Sequence, residues 1–428
     1  MSKRRVVITG MGTINPLGHS VESMWEAMLA CKSAITPTEL FDASTFPSTF
    51  SAQVKGFDLS ASVPSSAADH SHIGRHGGFA LAAAVQAWKQ SGLGGWDKLD
   101  RDRMGIYLGS GEGSLDFDNF TSLLVDAWKD DSLDTRQWAK LAFERMNLNS
   151  EIEQESNMVL AHLAREFGAR GPAYNVLTAC AASTQAIGEA CMQVRYGDAD
   201  VIITGGAHSM IHPYGLTGFN RLTALSTRND EYATSSRPFE HTRDGFVLGE
   251  GASILIIEDY ETAKSRGANI LAEIIGYGSS ADAFRITDQD PDGAGAAASM
   301  RAALLDAGIE TSQIDYISAH GTGTKQNDQV ETRGIKAVFG NDTKVPISSV
   351  KSMLGHLIAA AGATELITCV LAIRDQILPP TTNYHHKDPD CDLDYVPNNP
   401  RKAKVQVCMS NSFGFGGQNN TLIITRAQ

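Results

Sequence analysis

The sequence predicts an α/β protein made of two similar halves, and three observations support this. Short runs such as 254–257 are apolar at every position, which suits strands covered on both faces. Between such runs, residues 77–91 and 295–307 read as helices, the pattern of an α/β protein. The order of elements then repeats. Residues 171–206 run strand, helix, strand, while 344–380 run strand, glycine-bearing turn and Ala-rich helix. Each half also closes on a β-rich run, 252–257 in the first and 421–425 in the second. A boundary is expected near residues 258–267, giving halves of residues 1–258 and 259–428.

Taken in order, the chain opens on a short basic lead, Met1 to Arg5, with strand-like Val6-Val7-Ile8-Thr9 directly behind it. That lead is too short for a signal peptide. No apolar run approaches the ~20 residues needed to span a bilayer. A cytoplasmic protein is expected. His70, His72 and His76 form an H-x-H-x3-H cluster without a carboxylate or cysteine at zinc-like spacing, so a solvated loop is expected there and no metal. Residues 114–156 are the least regular part, rich in aspartate, with Trp128, Trp138 and a helical stretch at 138–146.

The first half is organised around Asn175-Val176-Leu177-Thr178-Ala179-Cys180-Ala181-Ala182-Ser183. Gly171-Pro172 opens this unit, and residues 174–177 read as a short buried strand. From Ser183 onward Ala186, Ile187, Ala190, Cys191 and Val194 recur at helical spacing, with Gly197 as the stop signal. Cys180 therefore falls at a helix N-terminus, where unpaired N–H groups and the macrodipole favour an anion. A thiol made acidic and nucleophilic near neutral pH is expected; a buried core cysteine is the alternative.

The second half places His320 and His356 just after the strand-like runs 316–319 and 347–350, with a helix expected over 356–374. Glycines 414, 416 and 417 surround Phe415, which allows close backbone approach.

Of the 428 residues, 42% are hydrophobic and 20% charged, an ordinary soluble composition long enough for two domains. The net charge of -13 and pI near 5.4 argue against a nucleic-acid binder, which would need a basic face. Six scattered cysteines without a CxxC pair read as reduced thiols.

The Cys180 segment resembles the nucleophile segment of β-ketoacyl-acyl carrier protein synthases, condensing enzymes of the thiolase superfamily. Other motifs follow in that family's order. They are Ser236-Arg237-Pro238-Phe239, Arg243-Asp244-Gly245-Phe246-Val247, Gly249-Glu250-Gly251, His320-Gly321-Thr322-Gly323-Thr324, Lys351-Ser352-Met353-Leu354-Gly355-His356 and Asn411-Ser412-Phe413-Gly414-Phe415-Gly416-Gly417. The likeness runs from Val6 almost to the last residue and is strongest to elongating synthases of the β-ketoacyl synthase II type.

That resemblance implies a thiolase-like fold, two pseudo-duplicated halves in a five-layered αβαβα arrangement. It implies acyl transfer to Cys180, then decarboxylative Claisen condensation with a malonyl thioester. His320 and His356 would stabilise the enolate, and the N–H groups of Cys180 and Phe415 would form the oxyanion hole. Phe415 would gate the acyl pocket, Lys351 and Glu365 would tune the histidines, and Asp328 and Glu331 would orient the His320 loop. Thr322 and Thr324 would hold the phosphopantetheine arm, with Thr287 and Phe413 also at the substrate. Arg243 to Gly245 and Glu250 read as scaffold. The partner implied is an acyl carrier protein, with no resident cofactor, metal, nucleic acid or membrane, and a homodimer is expected. Carrier proteins of this kind are acidic, so docking requires a local basic patch.

The chain departs from the fatty-acid enzymes at several points. Ser65 to His70 stands where those enzymes carry basic docking residues, leaving Arg75, Arg221 and Arg228 as substitutes. Residues 114–156 look longer and more divergent. Arg285 replaces a common histidine and Gln418 a threonine. Two alternatives follow: a polyketide ketosynthase paired with a chain-length factor, and a non-catalytic carrier-binding or chain-length subunit. Retention of Cys180 and both histidines opposes the latter. A thiolase is disfavoured too, since it would use a second active-site cysteine in place of one histidine.

Overall fold

The computed structural model describes residues 3–427. Among these, ten strands form one mixed sheet: β1 (Val6–Ile14), β2 (Met104–Ser110), β3 (Ala173–Val176), β4 (Val201–His208), β5 (Gly251–Asp259), β6 (Ala272–Ala281), β7 (Tyr316–Ser318), β8 (Ile347–Ser348), β9 (Val407–Gly414) and β10 (Gln418–Thr425). The spatial order is β8-β7-β9-β10-β6-β1-β5-β4-β2-β3.

The duplication expected from sequence is explicit in this order. Strands β1 to β5 lie as 1-5-4-2-3, and β6 to β10 lie as 6-10-9-7-8. Pair directions repeat as well. In the first half β3, β2 and β4 are parallel neighbours and β5 turns antiparallel. In the second, β8, β7 and β9 are parallel and β10 is antiparallel. The halves join where β1 pairs antiparallel with β6.

The main helices are α1 (Arg75–Ser91), α2 (Phe117–Asp126), α3 (Thr135–Arg145), α4 (Leu148–Ile152), α5 (Met158–Phe167), α6 (Ala182–Tyr196), α7 (Ala294–Ala307), α8 (Lys325–Phe339) and α9 (Ala361–Asp375). In α9 every residue from 361 to 373 is buried, so it has no solvent face and must lie inside the molecule. It packs beside α6, between the two half-sheets, in a core shared by both halves. Outside, α1 and α5 cover the first half-sheet, and α7 and α8 the second. This is the five-layered α/β arrangement.

Three details depart from the sequence reading. The 174–177 stretch is an edge strand rather than a buried one: β3 pairs only with β2, and Tyr174 and Leu177 are 58% and 55% exposed. An apolar run at a sheet edge carries the same signal as one at its centre. The helix expected from His356 starts at Ala361, after a 3-10 turn at Ile358–Ala360, so His356 lies in the turn. His70 and His76 are buried rather than solvated.

Contact between the halves is close enough to test. A Cβ at Gly188 of α6 would lie 2.3 Å from the ring of Tyr277 on β6. Gly188→Ala is expected to destabilise by about 1–3 kcal/mol through overpacking, more than the roughly 1 kcal/mol that alanine gains over glycine in a helix. A thermal melt reads the sign.

Candidate active site

Two turns that correspond under the duplication meet at the centre of the molecule. In the first half β3 leads to a 3-10 turn, Ala179–Ala181, and then to α6. In the second, β8 leads through Lys351–Leu354 and His356 to the 3-10 turn Ile358–Ala360 and then to α9. The first residue of each 3-10 turn, Ala179 (φ 47°) and Ile358 (φ 45°), has a positive φ although neither is glycine. Such conformations cost roughly 1–3 kcal/mol and persist where the surroundings impose them. Here they aim Cys180 and His356 at each other: Cys180 Sγ lies 3.0 Å from His356 Nε2.

His320 completes the group. Its ring meets that of His356 edge-on at 5.4 Å and that of Phe413 at 5.8 Å. The ligand-capable atoms of Cys180, His320 and His356 all lie within 4.8 Å of one another, and all three residues are buried. Such spacing also suits a metal ion, but the donor chemistry opposes one. Ile358 N–H donates to His356 Nδ1 at 3.2 Å, which leaves the proton of the neutral ring on Nε2. That nitrogen therefore offers an N–H rather than a lone pair.

The protonation states follow from burial. Desolvation holds both imidazoles well below the usual histidine range, and the Lys351 ammonium pushes them further down. Both are neutral hydrogen-bond donors. Cys180 corrects the sequence expectation: burial pushes its thiol up to about 12, against opposition from Lys351 and the N–H groups of Phe415 and Cys180 itself. The chain's local pattern placed the sulfur at a helix start, but could not show how deeply it is buried.

Those two backbone N–H groups lie near the sulfur, where the carbonyl oxygen of a thioester on Cys180 would also sit. The β9–β10 turn reaches them only because Gly414 has no side chain; a Cβ there would lie 2.6 Å from the Thr178 carbonyl. Gly416 and Gly417, at φ 89° and 77°, then reverse the chain.

Buried acids hold the His320 loop. Glu331 accepts the N–H groups of His320 at 2.8 Å and Gly321 at 2.7 Å. Asp328 accepts from Gly323 and Phe239 and pairs with the fully buried Arg243. Lys351 Nζ donates to the His320 carbonyl at 2.6 Å and to Glu365. Burial raises Glu331 and Glu365 to about 7 and also raises Asp328.

A cavity of about 570 Å³ opens over Cys180, His320, His356, Phe413 and Phe415 and runs out past Thr322, Thr324 and Thr287. The structure thus brings together Cys180, both histidines, both phenylalanines and the three threonines. Lys351, Glu365, Asp328 and Glu331 stand behind them. Two features were missed. Phe246 sets its ring edge against His356 at 5.2 Å, and Gln289 bonds Asn327 at 3.1 Å in the outer wall. Phe246 lies inside a motif already noted; the Gln289–Asn327 pair leaves no local signal.

The docking substitutes fare differently. Arg75 is committed to Glu250 and the Val54 carbonyl, and Arg228 to the Thr242 carbonyl, Asp244 and Glu231. Arg221 is exposed.

Comparison with known proteins agrees with this architecture. A model of the β-ketoacyl synthase N-terminal domain matches residues 3–263, and one of the C-terminal domain matches residues 271–385. The chain belongs to the β-ketoacyl synthase family. This synthase is 43% identical to 3-oxoacyl-[acyl-carrier-protein] synthase 2 of Coxiella burnetii, over 100% of this chain and 99% of the relative. It is 41% identical to the protein of the same name from Vibrio cholerae, over the full length of both. Among solved structures, a β-ketoacyl synthase from Burkholderia phymatum superposes with a TM-score of 0.89 at 32% identity, covering 99% of this chain and 100% of that one. A type II polyketide ketosynthase, solved with its acyl-carrier protein, gives 0.87 at 33% identity and covers 100% of both chains.

The carboxylates set a pH dependence. Protonating Glu331 removes an acceptor of the His320 or Gly321 N–H, and protonating Glu365 removes the partner of Lys351. Turnover is therefore expected to rise with pH through about 7 as both ionise. Glu331→Gln is expected to lower kcat roughly tenfold or more, since a charge-assisted hydrogen bond contributes about 1.5–3 kcal/mol. A pH–rate profile of both proteins checks this; a flat wild-type profile across neutrality would contradict it.

Proposed function

We propose that this synthase catalyses β-ketoacyl-acyl carrier protein formation of the elongating type, by decarboxylative condensation of a Cys180-bound acyl chain with a malonyl thioester. The observation that carries the reading is the 3.0 Å contact between Cys180 Sγ and His356 Nε2, with His320 beside it at the floor of the cavity.

The first step is thiol exchange. Cys180 sulfur attacks the acyl thioester, the carrier's pantetheine sulfur leaves, and the Cys180 proton ends on the departing thiol. The carbonyl oxygen becomes an oxyanion in the tetrahedral intermediate, where the Cys180 and Phe415 N–H groups receive it. Each such donor is typically worth ~10²–10³ in rate.

In the second step the malonyl carboxylate leaves as carbon dioxide, and its bonding electrons become the enolate. Two neutral imidazoles stabilise charge on the thioester oxygen by donating N–H. The tautomer set by Ile358 gives His356 its proton on Nε2, and desolvation keeps it from becoming a cation. The enolate carbon attacks the acyl carbonyl, the bond to Cys180 breaks, and one proton is taken up to restore the thiol. Every electron stays within the two substrates and the cysteine, so the chemistry needs no redox cofactor.

The partner in this reading is an acyl carrier protein, which the relatives' names also contain. A homodimer is supported by the free edge of β3, with Tyr174 and Leu177 exposed, and by exposed Trp128, Phe143 and Leu148 nearby in sequence. The absence of any helix long and apolar enough to cross a membrane, among the described residues, fits a cytoplasmic site of action. A polyketide ketosynthase is the second reading, favoured by the solved ketosynthase–chain length factor structure that is 35% identical with a TM-score of 0.86. The greater identity to the synthase 2 proteins favours elongation.

Cys180→Ala is expected to abolish condensation and to leave the fold intact. Intact-mass analysis after incubation with acyl-carrier proteins of graded chain length should show a thioester adduct on the wild type alone. Full condensation by the variant would refute the assignment.

A further inference from the structure

The cavity over Cys180 has one wall whose burial is graded. Thr322 is buried, Thr324 half-buried and Lys325 exposed, so this side of the lining runs from the floor toward the mouth. Besides its histidines, the ionisable side chains of the lining with a formal charge are Asp244, Asp288 and Lys325. The two carboxylates are already answered. Asp244 accepts from Ser226 Oγ at 2.7 Å and lies 3.4 Å from Arg228 Nε, and Asp288 lies 3.2 Å from Arg285 Nη1. Among the described residues the Lys325 ammonium has neither a carboxylate nor a hydrogen-bond acceptor.

Its position makes that isolation costly. Lys325 is the first residue of α8, and the macrodipole at a helix start disfavours a cation. A second positive group stands behind the same turn: the Arg243 guanidinium donates to the carbonyls of Thr324 at 3.2 Å and Lys325 at 3.1 Å. Asp328, the acid of that first helical turn, pairs with Arg243 and accepts the N–H groups of Phe239 and Gly323, so it does not serve Lys325. The backbone under Lys325 is therefore pinned while its charge is left without a counterpart. A side chain that breaks a local rule in this way, in the wall of a substrate cavity, points to an anion supplied from outside the chain.

The chemistry of a carrier's prosthetic arm supplies one. The arm ends in the thiol that bears the acyl group, has two amides along its length, and joins the carrier through a phosphodiester. With the thioester at Cys180, the amides pass the hydroxyls of Thr322 and Thr324, which bond each other at 3.0 Å, and the phosphodiester comes last, toward the mouth. An ammonium offers three donors and a point charge, which suits a phosphate oxygen.

We propose that Lys325 binds the phosphodiester of the carrier's phosphopantetheine arm and thereby sets how far the arm reaches into the cavity. This inference rests on the condensing reading given above. It makes Lys325 a positioning residue, remote from the reacting atoms.

The test offers one acyl chain on three donors: pantetheine, phosphopantetheine and acyl carrier protein. Intact-mass analysis of the whole protein follows acylation of Cys180 with time. In the wild type the phosphopantetheine thioester is expected to react roughly fivefold faster than the pantetheine thioester at limiting donor, the upper range for an exposed ion pair. Salt should shrink that advantage by screening. Lys325→Ala is expected to erase it, Lys325→Glu to reverse it and Lys325→Arg to keep it, with the carrier-borne donor following phosphopantetheine. A merely structural lysine would slow both small thioesters alike. That result, or an advantage that survives Lys325→Ala, overturns the proposal. So does a loss confined to the carrier-borne donor, which would assign Lys325 to an acidic side chain of the carrier. Wild-type protein that none of the three donors acylates would instead overturn the condensing reading, and this inference with it.

Discussion

The structure depends on two strand-to-helix turns being forced together across the duplication. Neither half alone makes a site: one supplies a sulfur, the other two imidazoles, and the β1–β6 pairing brings them together. The positive φ at Ala179 and Ile358 is the local cost of that meeting. Helices α6 and α9 make it tolerable, because each is packed on nearly all sides and cannot relax away.

Burial then decides the chemistry more than any single charge. The same desolvation that raises the Cys180 thiol keeps His320 and His356 neutral. A donor imidazole and a protonated thiol are the resting pair. Lys351 sits where its ammonium opposes histidine protonation while its hydrogen bond to the His320 carbonyl fixes the loop. The partner that makes a buried ammonium bearable is Glu365.

Local sequence carried a good deal of this. The helix of α6 and its stop at Gly197, the apolar β5, and the duplication were all readable, because they follow from periodicity and from glycine's access to positive φ. The motifs placed Cys180, His320, His356, Lys351 and Phe415 in one family pattern. Exposure at β3 and burial at His70 and His76 were not readable, because an apolar run or a lone histidine looks the same at an edge and in a core.

What the amino-acid order determined by itself was therefore the inventory: which residue begins each turn, which faces are apolar, and that the pattern occurs twice. Only the tertiary structure decided that the sulfur is buried at the floor of a cavity, which nitrogen of His356 bears its proton, and that His70 meets His162. Those are properties of distance and solvent access between residues far apart in the chain, and no local pattern encodes them.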